Sequence, residues 1–131
     1  MAIIAVLFSI VSLFVVGAFS EDDHNILTHL KTEIDECMKE VQVDKALVVS
    51  LLKEKVYTED KNLKCFVHCL HVKLNFVNEE GVANVDEMKK MILSMAKDKD
   101  TATETIEKCS KINEGDKCET AFAMCKCLRE I

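Results

Sequence analysis

The 131-residue chain carries 23 acidic against 17 basic side chains, a formal net charge of −6, with seven cysteines, no proline and no tryptophan. No basic cluster or aromatic–basic interleaving occurs, which argues against nucleic acid and against an anionic membrane surface. With only three glycines there is no glycine-rich phosphate loop or calcium loop of the secreted phospholipase type, and no nucleophile elbow or zinc-helix motif is present. An enzyme is therefore not expected and no cofactor is implied. The acidity predicts a soluble, self-repelling protein.

Residues 1–20, MAIIAVLFSIVSLFVVGAFS, contain no charged side chain. The apolar run from Ile3 to Val16 is short for a bilayer span and ends in small residues, and Ala18-Phe19-Ser20 suits signal peptidase. The expectation is a secretory signal peptide over 1–20 and one helical domain over 21–131, located in extracellular fluid. An uncleaved anchor is the alternative. Oxidising conditions there let disulfides supplement the thin core of a small domain.

Apolar residues recur at helical spacing and no hairpin dipeptide occurs, so the fold class is all-α with about six helices. The first is expected from near Asp23 to Val41. The second follows Asp44 as cap and carries Leu47, Val48, Leu51 and Leu52. The third is expected from about Thr58 to Val77, with Gly81 as its stop. The fourth opens at the capping-box pair Asn84 and Glu87, the fifth at Thr101 and Glu104 with Gly115 closing it, and the sixth at Asp116 and Glu119.

The third helix has two apolar stripes. Leu63, Phe66, Val67, Leu70, Leu74 and Val77 form one; Cys65, Cys69, Val72 and Phe76 form the other. Lys61, Lys64, His68, His71, Asn75 and Asn78 lie between as a polar row. Two stripes predict cover on two sides, with the helix running through the middle of the domain. The histidines on the polar row are expected to be solvated.

Six of the cysteines fall at the spacing Cys37-x27-Cys65-x3-Cys69-x39-Cys109-x8-Cys118-x8-Cys127, with Cys125 the odd one. Six cysteines allow fifteen pairings, and sequence alone does not choose among them. Bridging Cys65 to Cys69 would distort a helix. Cys125 and Cys127 point about 160° apart on a helix, and Cys118 and Cys127 also face opposite sides, so the bridges run between helices.

This spacing, and the stretch Asn62-Leu63-Lys64-Cys65-Phe66-Val67-His68-Cys69-Leu70, resemble insect odorant-binding proteins over essentially the whole of residues 21–131. The resemblance implies six helices around a central apolar cavity and three interlocked disulfides, Cys37–Cys69, Cys65–Cys118 and Cys109–Cys127. It leaves Cys125 as a free thiol. Two departures stand out: Cys125 is outside the family pattern, and Ile131 lies four residues past Cys127, where some members have a longer tail that caps the cavity.

Candidate ligand-binding residues are Leu30, Leu51, Leu52, Phe66, Leu70, Leu74, Met88, Met91, Ile92, Met95 and Phe122. Met88, Met91, Ile92 and Met95 share one stripe, and methionine suits an adaptable wall; ordinary core filling is the alternative reading of all of them. Tyr57, the only tyrosine, is expected in a surface loop, with a hydroxyl offered to a ligand's polar end as the alternative. Cys125 shares an apolar sector with Ala121, Phe122 and Leu128, so its thiol is expected to be buried and inert, with no cation at helical distance; an intermolecular disulfide is the alternative.

The string Cys65-x2-His68-Cys69-x-His71 is not read as a metal site, because the disulfide pattern takes both thiolates zinc would need. A milder hypothesis is that His24, His29, His68 or His71 charges between neutral and acidic pH and modulates binding. The function expected is that of a secreted carrier of odorants, pheromones or similar lipophilic molecules. Its partners would be a small apolar ligand and, at delivery, a membrane receptor, with the protein a monomer or weak homodimer that does not insert stably into membranes. The rival is a secreted interaction or structural factor of venom, semen or saliva with no ligand cavity.

Overall fold

A computed structural model describes residues 30–131. Among them are six α-helices and no strand: α1 Lys31–Val41, α2 Lys45–Glu54, α3 Lys61–Lys73, α4 Val85–Met95, α5 Lys99–Ser110 and α6 Lys117–Leu128. The expected signal peptide, the start of the first helix near Asp23, His24 and His29 all lie outside the described residues. Residues 33–131 form one compact unit.

Side-chain caps set most of the helix starts, each satisfying amide groups that have no partner within the helix. Asp44 accepts from the Ala46 amide at 2.9 Å, and Asn84 from the Glu87 amide at 3.4 Å. Asp116 accepts from the amides of Cys118 and Glu119 at 3.1 and 3.0 Å. These three starts are where the sequence puts them.

The fifth helix begins earlier than expected. Its cap is Asp98, which accepts from the Thr101 amide at 3.1 Å and the Thr101 hydroxyl at 2.8 Å. Thr101 is thus the third helical residue. One carboxylate that takes both of its donors replaces the expected Thr101–Glu104 box. The helix also ends at Ser110, well short of Gly115.

The third helix is shorter at both ends than its apolar pattern suggests. Asp60 caps it by accepting from the Leu63 amide at 2.9 Å. Beyond Leu74 the chain turns through Asn75 at φ +63°, and the Phe76 amide bonds back to the His71 carbonyl at 2.9 Å. Phe76 and Val77 keep their apolar role off the helix: both stay buried, and Val77 pairs with Ala83 in an isolated antiparallel bridge.

α3 packs most extensively against α6, while α5 packs on α4 and on α6. The disulfides lock these contacts. Cys37–Cys69 ties α1 to α3, Cys65–Cys118 ties α3 to α6, and Cys109–Cys127 ties α5 to α6, with Cα separations of 5.7, 4.5 and 5.6 Å. The pairing is the one the family resemblance implies. One buried cluster joins Phe76, Val77, Met88, Ile106, Cys109 and Met124.

The polar row of α3 is covered at its centre, while Lys61, Asn75 and Asn78 are exposed. Lys64, His68 and His71 are all buried. Lys64 bonds Glu59 and, at 2.9 Å, Glu119. His71 lies against the Phe76 ring at 5.7 Å. The segment that folds back after α3 and the start of α6 cover what helical periodicity leaves open.

Candidate functional site

All but one of the expected lining residues fall into three groups. Leu51 of α2, Phe66 and Leu70 of α3, and Phe122 of α6 are buried. Met88 of α4 is fully buried in the cluster with Phe76 and Met124, and Leu74, Met91 and Ile92 pack against that cluster. Leu52 is half-buried, as is Leu30 in the turn leading into α1. Met95 departs from its stripe: at the last turn of α4 it is 54% exposed.

Two surface depressions, of about 440 and 320 Å³, flank the segment between α3 and α4. The larger is lined by Asn75, Val77, Asn78 and residues 82–86. Neither includes any expected lining residue.

Tyr57 lies in the loop between α2 and α3, as expected, but not at its surface. It is half-buried, and its ring meets Phe122 edge-on, with centroids 5.6 Å apart at 75°. The Lys126 ammonium lies 5.4 Å from the ring centroid and the Arg129 guanidinium 6.0 Å from it. Burial pushes the Tyr57 hydroxyl up to about 12, so it remains a protonated donor.

Cys125 is free. Burial pushes its thiol up, against a partial opposing pull from Arg129. An inert thiol was expected, but not a cation beside it. Arg129 stands four residues on, one helical turn, and burial outweighs its charge.

Burial, with His68 adding to it, pushes His71 down to about 4, and burial together with Lys117 pushes His68 down. Both therefore resist charging in the range where a solvated histidine would titrate. Cys65 and Cys69 are both oxidised, so neither is a thiolate donor. Among the described residues no helix is long and apolar enough to cross a membrane.

The PBP/GOBP family model matches residues 20–131. The chain belongs to the PBP/GOBP family. This family member is 28% identical over 118 residues to odorant-binding protein 10 of Aedes aegypti, across 89% of this chain and 83% of that protein. It is 37% identical over 73 residues to general odorant-binding protein 57c of Drosophila melanogaster, across 54% of this chain and 46% of that protein. Among solved structures, Drosophila melanogaster odorant-binding protein dmelOBP28a aligns with a TM-score of 0.68 at 21% identity, covering 82% of this chain and 93% of that one. A fatty acid binding protein, OBP56a, from the oral disk of the blowfly Phormia regina aligns with a TM-score of 0.67 at 20% identity, covering 86% and 93%. At these identities the structural likeness establishes the shared helical fold of this PBP/GOBP chain.

The grouping of Tyr57 with Lys126 and Arg129 is not among the sequence expectations. The i, i+4 relation of Cys125 to Arg129 was available as a signal. The placement of Tyr57 against α6 was not, because residues 55–60 are irregular and carry no periodicity.

Proposed function

We propose that this protein is a secreted carrier that encloses a small hydrophobic molecule, such as an odorant, pheromone or similar lipid, and moves it through aqueous extracellular fluid. The carrying observation is membership of the PBP/GOBP family across residues 20–131. The burial of Leu51, Phe66, Leu70 and Phe122, which stand on three different helices, supports it. Affinity would come from burying the ligand's apolar surface in a largely preformed site with a few placed polar groups. Apolar walls discriminate chain length weakly, so a class of ligands is expected rather than a single compound. The name of the Phormia regina neighbour points to fatty acids as members of that class.

Native mass spectrometry of the chain secreted from a eukaryotic host tests this. The expected product lacks residues 1–20, lacks six hydrogens and carries a lipid-sized adduct, or takes up an added apolar probe. A correctly oxidised protein that carries nothing and refuses every apolar probe would overturn the carrier reading in favour of an interaction scaffold.

A further inference from the structure

Tyr57 presents a hydroxyl oxygen that is screened from solvent and has no hydrogen-bond partner among the described residues. A buried hydroxyl without a partner is unfavourable, so in a native fold it calls for an explanation. Beside it stands only the Cys125 sulfur, a weak acceptor, while Lys126 and Arg129 lie over its ring. One N–H of Arg129 goes to the Leu51 carbonyl at 3.1 Å, and a guanidinium has further donors to give.

Neither Lys126 nor Arg129 pairs with a carboxylate among the described residues, whereas nearby Lys64 is held by Glu59 and Glu119. In a chain of net charge −6, this corner holds two uncommitted positive charges and a donor hydroxyl. What it lacks is a strong acceptor, which the Cys125 sulfur is not, and the two cations favour a negatively charged one.

The corner also adjoins the apolar interior. Tyr57 touches Phe122, and Arg129 is bonded to Leu51. A molecule whose tail lay among those apolar side chains would bring its end to the Tyr57 hydroxyl.

We propose that Tyr57, Lys126 and Arg129 form a head-group site, and that the preferred ligands are straight-chain molecules ending in a carboxylate. The assignment rests on the carrier reading and specifies its ligand class. Tyr57 holds the carboxylate by a direct hydrogen bond, and Arg129 and Lys126 hold it by charge. Dodecane, with the same tail and no head, gains nothing from this corner.

The test uses the secreted, delipidated full chain and displacement of the apolar fluorophore N-phenyl-1-naphthylamine by dodecanoic acid and by dodecane. In Tyr57→Phe, which keeps the ring against Phe122, affinity for the acid is expected to fall on the order of tenfold, with dodecane unchanged. Lys126→Gln, at an exposed position, should weaken the acid alone to a lesser degree, and it gives the same comparison if Tyr57→Phe fails to secrete. Unchanged acid affinity in both variants, or equal weakening of acid and alkane, would overturn the head-group site while leaving the carrier reading intact. A native chain that takes up neither fluorophore nor ligand would overturn the carrier reading and this assignment with it.

Discussion

The Arg129 guanidinium donates to the main-chain carbonyl of Leu51 at 3.1 Å, across 78 residues of sequence. It fastens the end of α6 to α2, a helix that none of the three disulfides reaches. α2 is otherwise held by the burial of Val48 and Leu51. A hydrogen bond from a charged donor contributes about 1.5–3 kcal/mol. Arg129→Met, which keeps the apolar stem, should therefore lower unfolding stability by about 1–2 kcal/mol. Hydrogen exchange should show the α2 amides losing protection before those of α3 and α6, since the latter pair is covalently tied.

Acid should destabilise the protein through His71. Its pKa is pushed down to about 4 in the folded state, against about 6.5 for an unfolded histidine. Between these values the unfolded chain binds more protons, so its share of stability is full above pH 6.5 and is lost as pH falls toward 4. A difference of this size corresponds to on the order of 3 kcal/mol. His68, pushed down as well, acts in the same direction. Urea unfolding at pH 7, 5.5 and 4 should show a steep loss in the native chain and a shallower one in His71→Gln. Parallel slopes would reject His71 as the cause.

Gly81 and Gly115 both take positive φ, +89° and +84°, but in different surroundings. A Cβ at Gly81 would sit 3.1 Å from the Lys117 Cβ, whereas at Gly115 nothing lies within 4 Å. Gly115→Ala should cost about 1 kcal/mol from backbone strain alone. Gly81→Ala should cost more, because the 78–82 turn must also move off the first turn of α6. Urea midpoints compared in one buffer check the order.

The disulfides should rank by the length of chain they close. Removing Cys65–Cys118, with a sequence separation of 53, should cost about 4 kcal/mol, and removing Cys109–Cys127, with a separation of 18, about 3 kcal/mol. Paired Cys→Ser variants in denaturant titrations measure both. A larger loss from the shorter loop would mean that packing at α5–α6, rather than loop closure, sets the value.

Cys125 should react slowly. Its raised thiol pKa leaves little thiolate at neutral pH, so iodoacetamide should label the native chain at pH 7.5 far more slowly than the urea-unfolded chain, and then at one site only.

Much of the fold was legible because its signals are local. Asp44, Asn84 and Asp116 mark helix starts by chemistry confined to three or four residues, and the apolar stripes of α3 follow from its own periodicity. The start of α5 was misread for a local reason too: two capping patterns three residues apart compete, and Asp98 accepts both Thr101 donors. The end of α3 was misread for a different one. Phe76 and Val77 satisfy a helical pattern while serving the core from a turn at Asn75, and apolar spacing does not distinguish the two.

The sequence by itself determined an all-α, cysteine-stapled chain and, through its six-cysteine spacing, the family to which it belongs. Helix geometry left the cysteine pairing open, the family resemblance implied it, and the tertiary structure carries it. The tertiary structure alone decided that the polar row Lys64, His68 and His71 is covered rather than wetted, and that Tyr57 stands over α6 beneath two cations. Helical periodicity reports which side of a helix is apolar, a property of neighbours in sequence. Whether a polar side is then roofed over depends on chain that returns from far away, as Glu119 and Phe76 do here, and no local pattern encodes that return.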